Sequence, residues 1–161
     1  MNYEITKEER QPQHTLSVRE QVAREEINRV LTEMLPRLND YLQQQNVEPD
    51  GPPFVRYHSS RNVERIEVDV EFGVPIARAL DAADGNMVPG RLPGGETLVI
   101  RYQGPYGESH KAYDRLEAWI EEQDGYEAGG APWEFHILAA EAADEDSLQL
   151  EIMYPLQKVE R

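Results

Sequence analysis

The chain has 161 residues, no cysteine, and 31 acidic against 16 basic side chains, for a formal net charge of −15. Its length suffices for one domain with its own core, and the lack of cysteine excludes a disulfide framework and thiol chemistry. The charge repels phosphate, so nucleic acid and anionic membranes are poor direct partners while cationic ligands are favoured. The polar stretch Met1 to Arg10 lacks the apolar core of a secretion signal, and nothing later reaches transmembrane length, so a cytoplasmic location is expected.

In chain order, alternation and helical spacing predict a strand over 13–20, a helix over 23–45, and strands over 53–58 and 64–74. The helix carries Ile27, Val30, Leu31, Met34, Leu35, Leu38 and Leu42 at three- and four-residue spacing, a stripe suited to packing on a sheet. Pro36 is expected to kink or break it. A segment rich in Gly, Asp, Ala and Pro over 81–95 reads as a linker. A second series follows: strand 95–103, helix 106–123 with Tyr113, Leu116 and Ile120 on one face beside Trp119, and strands 132–138 and 147–154. The small-residue, acidic stretch 139–147 reads as a mobile hairpin loop.

The two series are copies. Thr15-Leu16-Ser17-Val18-Arg19-Glu20-Gln21 matches Thr97-Leu98-Val99-Ile100-Arg101-Tyr102-Gln103 at an offset of 82 residues, with four of seven positions identical. Gly51-Pro52-Pro53-Phe54 matches Gly130-Ala131-Pro132-Trp133 at 79, and the strand ending at Pro75 matches the one ending at Pro155 at 80. A near-constant offset marks a duplication. The expected fold is a single α+β domain over 1–161. It is built from a duplicated β-α-β-β unit, 13–74 and 95–154, as an antiparallel sheet with helices on one face and a ligand groove between the halves.

Strand parity separates faces. Ile66, Val68, Val70 and Phe72 alternate with Glu67, Asp69 and Glu71; Leu148, Leu150, Ile152 and Tyr154 alternate with Gln149, Glu151 and Met153. Over 133–138 the aromatic set Trp133, Phe135 and Ile137 is assigned to the helix-packed face, which sends Glu134 and His136 to the open one. There Glu134, Glu151, Tyr57, His136 and Met153 would mix acids with apolar walls, the makings of a ligand groove. Glu67, Asp69 and Glu71 are expected to be merely solvated, as acids on an open sheet face usually are. The four histidines show no metal spacing, Pro93-Gly94-Gly95 is turn chemistry with no phosphate cradle, and no nucleophile elbow occurs, so neither metal nor cofactor is expected.

Gly51-Pro52-Pro53-Phe54, the run Gly104-Pro105-Tyr106 through Ala112-Tyr113, Leu116 and Trp119-Ile120, then Pro132-Trp133-Glu134 and the closing Glu151 to Pro155-Leu156, together resemble the GyrI-like small-molecule-binding family. Its members include effector-binding domains of AraC-type and MerR-type transcription activators. The resemblance runs over nearly the whole chain and implies a groove for bulky, often cationic amphipathic molecules, with Glu134 as the pocket acid. The implied ligand-binding set is Glu134, Trp133, Tyr57, His136, Glu151, Met153 and Tyr106. Some stand-alone members hydrolyse cyclopropane-containing toxins with a pocket glutamate and aromatic neighbours; here His136 and Met153 stand where tyrosines are common.

No helix-turn-helix precedes the matching region, so a stand-alone binder or sequestering protein is expected. The alternatives are a hydrolase of strained electrophiles with Glu134 as general base, and an acidic protein-partner inhibitor of a nucleic-acid enzyme.

Overall fold

The computed structural model describes residues 4–59, 67–81, 85–104, 108–137 and 148–159. In chain order the elements are β1 (Ile5–Arg10), β2 (Gln13–Ala23), a 3-10 turn at Arg24–Glu26, α1 (Ile27–Gln44), β3 (Phe54–Tyr57), β4 (Glu67–Pro75), β5 (Val88–Leu92), β6 (Gly95–Gly104), α2 (His110–Glu122), β7 (Tyr126–Ala128), β8 (Trp133–Ile137) and β9 (Leu148–Lys158). They fall into two compact units, Pro12–Leu92, and Met1–Gln11 together with Pro93–Arg161.

All strand pairs within the units are antiparallel. In Pro12–Leu92 the order is β3-β4-β2-β5. In the other unit it is β8-β9-β6-β1, with β7 on the far end of β9. The order β3-β4-β2 thus recurs as β8-β9-β6, and in each unit the helix leaves the strand of this trio that pairs the edge. Both edge strands lie outside the predicted elements. β1 reads Ile-Thr-Lys-Glu-Glu-Arg, with too little apolar surface to signal a strand. β5, Val-Pro-Gly-Arg-Leu, falls inside the stretch taken as linker, because proline and glycine suppress strand propensity while being acceptable at an edge.

α1 buries Ile27, Leu31, Met34, Leu38, Tyr41 and Leu42, nearly the predicted stripe. It runs through Pro36 without a break, which leaves the kink of the two expected outcomes. Pro36 is exposed, and the buried residues on both sides of it outweigh one lost backbone hydrogen bond, at roughly 1.5–3 kcal/mol for each large apolar side chain. The helix stops where Asn46 turns to a left-handed φ of 57°, a conformation asparagine tolerates better than most residues.

The register of β2 on β4 sets Leu16 and Val18 opposite Val74 and Phe72, giving the apolar face its core, with half-buried Val22 opposite Val68. On the other face the acids are not merely solvated, as had been expected. Asp69 accepts from Arg19 Nε at 2.9 Å and Nη2 at 2.7 Å, and Glu71 accepts from Ser17 Oγ at 2.6 Å and meets His58 Nε2 at 2.8 Å. Glu67 alone of the three is exposed. Sequence alternation identifies a polar face but cannot pair charges across strands, which requires the register.

The Arg19 hydrogen bond holds the Asp69 carboxyl below its ordinary range. A carboxyl lowered in the folded state stabilises above its unfolded value, and that contribution fades as pH falls through the folded one. Arg19→Gln is therefore expected to unfold at lower urea than the native chain at neutral pH, and the gap should close as the pH drops below about 4. A gap unchanged down to pH 2 would remove the ion pair as its cause.

Candidate functional site

β8, with the sequence Trp-Glu-Phe-His-Ile, is rich in aromatic and branched residues that favour strands. It pairs with β9 so that Trp133 faces Met153, Glu134 faces Ile152, Phe135 faces Glu151 and His136 faces Leu150. Directly opposed residues in an antiparallel pair share a face. β6 continues both sets, with Ile100 and Tyr102 beside Ile152 and Leu150, and Val99 and Arg101 beside Met153 and Glu151.

Glu134 is fully buried, at 0% exposure, and so is His136. Glu134 Oε1 accepts from the Tyr113 hydroxyl at 2.7 Å, and Oε2 lies 2.6 Å from His136 Nε2. Tyr113 sits on α2, whose buried residues are Ala112, Tyr113, Leu116 and Ile120. Glu134 and His136 therefore lie on the face that α2 covers, with Ile152 and Leu150. This reverses the sequence assignment, in which Trp133 and Phe135 took the helix-packed face. Parity separates the two sets correctly, but the apolar set grades from buried Trp133 at 3% through half-buried Phe135 to exposed Ile137, while the polar pair Glu134 and His136 is fully buried, so apolarity alone misleads about which set meets the helix.

The reversal divides the predicted site residues. Glu134 and His136 stand together under α2, while Trp133, Glu151 and Met153 occupy the opposite face of the same strands and cannot share one wall with Glu134. Glu151 is also already engaged, by Arg10 Nη2 at 3.2 Å and Arg101 Nη2 at 3.3 Å. Tyr57 belongs to the other unit, opposite Val70 on its apolar face and 9% exposed. Tyr106, like the predicted loop over 139–147, lies outside the described residues. Helical spacing alone places Tyr113 in the α2 core stripe with Leu116 and Ile120. The available signal was its polar tip, since a tyrosine on a core-facing helix stripe generally finds a buried partner.

A carboxylate excluded from water is costly unless its oxygens are bonded. Here each oxygen has one hydrogen-bonding partner, Tyr113 on α2 and His136 on β8, which fixes the side chain and leaves lone pairs for a further group. Among the described residues no His, Asp and Glu side chains gather into a metal-binding group, and no helix is long and apolar enough to cross a membrane.

Two units of one strand order, each with a helix on its sheet, and a buried acid held by Tyr113 of α2 define a small α+β protein. The chain belongs to the GyrI-like small molecule binding domain family, whose model matches residues 1–157. No curated protein sequence matches it. Among solved structures, the EcmrR C-terminal domain has a TM-score of 0.82 at 22% identity, with 99% of this chain and 100% of that one covered. The chain spans 58% of the longer EcmrR chain seen in an EcmrR–DNA complex. A hydrolase from Listeria innocua aligns at TM-score 0.67 and 8% identity over 95% of this chain and 91% of its own. SAV2435, in a structure bound to tetraphenylphosphonium, aligns at TM-score 0.54 and 10% identity over 98% of this chain and 94% of its own. At these identities the likeness is one of fold.

Proposed function

We propose that the chain binds bulky, amphipathic organic cations, and that Glu134 is the charge that selects them. The observation that carries this reading is a fully buried carboxylate bonded to the Tyr113 hydroxyl and the His136 ring. Such a group gains most from a ligand that brings a positive charge into the apolar surroundings of Leu150 and Ile152. The net charge of −15 attracts the same ligands from solution. The fold shared with SAV2435, whose structure holds tetraphenylphosphonium, supports the same class of ligand.

Calorimetric titration with tetraphenylphosphonium and with neutral triphenylphosphine oxide tests the proposal. Saturable binding of the cation, at least tenfold tighter than the neutral compound, is expected from cation recognition by a desolvated acid and aromatic rings. Equal affinities would reject selection by charge.

A further inference from the structure

Beyond the buried carboxylate, the sheet face under α2 continues toward solvent through aromatic side chains. Opposed residues share a face, so the row Lys7, Leu98 and Tyr154 across β1, β6 and β9 lies on the α2 side, next to the row of Ile100, Ile152 and Glu134. Tyr154 is thus the diagonal neighbour of Glu134 on the paired strand, a spacing of about 7–8 Å that an aromatic side chain spans. Where Glu134 is fully buried, Tyr154 is half-buried.

Two more rings stand at the same edge. Trp119 of α2 and Tyr126 of β7 have ring centroids 6.1 Å apart and planes tilted by 45°, and both are half-buried. Tyr126 is joined to the row of Tyr154 by Lys7, whose Nζ donates to its hydroxyl at 3.0 Å and lies 5.0 Å from its ring centroid. An ammonium therefore already rests against this aromatic surface, within the roughly 6 Å over which a ring attracts a cation. Tryptophan and tyrosine offer large apolar area while tolerating water at one end, and for that reason they are enriched at binding surfaces.

We infer that Tyr154, Trp119 and Tyr126 form an outer subsite that takes aryl groups of the cation whose charge Glu134 receives, and that the Lys7 ammonium covers this subsite in the unliganded chain. The inference rests on the cation-binding reading above and narrows its ligands from lipophilic cations to arylated ones. Phenyl groups on such a cation gain from offset or edge-to-face packing against the three rings, which alkyl chains cannot supply. Lys7 opposes the same ligand, because its own charge repels a second cation and its ammonium occupies Tyr126.

Calorimetric titration of the native chain with tetraphenylphosphonium and with tetrabutylphosphonium, equal in charge and different in aromaticity, tests the subsite. A preference for the aryl cation is expected, reduced about two- to tenfold in Trp119→Leu and in Tyr154→Leu, the range of an aromatic pair. A merely structural loss would weaken both cations alike and leave their ratio unchanged. Lys7→Met should bind tetraphenylphosphonium more tightly than Lys111→Met, which makes the same change in net charge at an exposed position of α2. Equal affinities of the native chain for the two cations would overturn the aryl subsite and leave the cation reading intact. A preference undiminished in both folded leucine variants would overturn its assignment to these rings, and Lys7→Met indistinguishable from Lys111→Met would overturn the role of Lys7. Binding of neither cation would overturn both readings. The native-chain ratio and the variant at exposed Lys7 decide the matter even if the leucine variants do not fold.

Discussion

Glu134→Gln is expected to lower the affinity for tetraphenylphosphonium by about 2 to 5 kcal/mol, the range found when one member of a buried charge pair is removed. The substitution keeps the shape of the side chain and an oxygen that can accept from Tyr113, so the loss reports charge more than packing. A neutral ligand of similar size should lose little, because it gained nothing from the carboxylate. Glu67→Gln serves as the control: Glu67 is exposed at the start of β4 in the other unit, and exposed charges are screened by water and salt. Calorimetry on both variants with both ligands checks the prediction. Matching cation affinities for Glu134→Gln and the native chain would remove Glu134 from recognition.

Gly73→Ala should destabilise the chain by about 3 kcal/mol, at the upper end of what overpacking costs. Gly73 lies in β4 opposite Ser17 on one side and Phe54 on the other. A Cβ added there would meet Phe54 Cζ at 2.7 Å and the Leu16 carbonyl oxygen at 2.8 Å. A ring at the surface would turn aside, but Phe54 is 0% exposed, and the carbonyl belongs to the paired backbone. Gly125, whose added Cβ would meet nothing within 4 Å, is the control and should change by about 0.5 kcal/mol at most on the same substitution. Urea unfolding of the two variants provides the comparison, and a Gly73→Ala midpoint equal to that of Gly125→Ala would show that β4 shifts freely. The position aligned with Gly73 in the second series is Met153, buried at 1% beside Trp133. The two copies thus fill one topological position differently, with an aromatic ring over a glycine in one and two large side chains in register in the other.

These residues also mark how far the sequence could be read. The helical stripe Ile27, Leu31, Met34, Leu38 and Leu42 and the alternation Val68, Val70, Phe72 are local patterns, because burial on one side leaves a period of about 3.6 or 2 in the chain itself. The matches Thr15 to Thr97 and Pro75 to Pro155 need no structure either, and they anticipate the strand order that recurs in both units. Glu134 emerged as the acid of interest from its motif and its neighbours. Its surroundings did not. Trp133 is buried and Phe135 half-buried, while the polar Glu134 and His136 are fully buried, so the hydrophobic pattern points away from the set that meets α2. That choice depends on the register with β9 and on a hydroxyl 21 residues away, at Tyr113. The edge strands β1 and β5 escaped for a related reason, since an edge strand is held by backbone hydrogen bonds and needs little apolar surface. Local periodicity determined the two helices and the inner strands; the partners of the buried carboxylate, and the face it occupies, were decided by contacts between residues distant in sequence, which only the tertiary structure brings together.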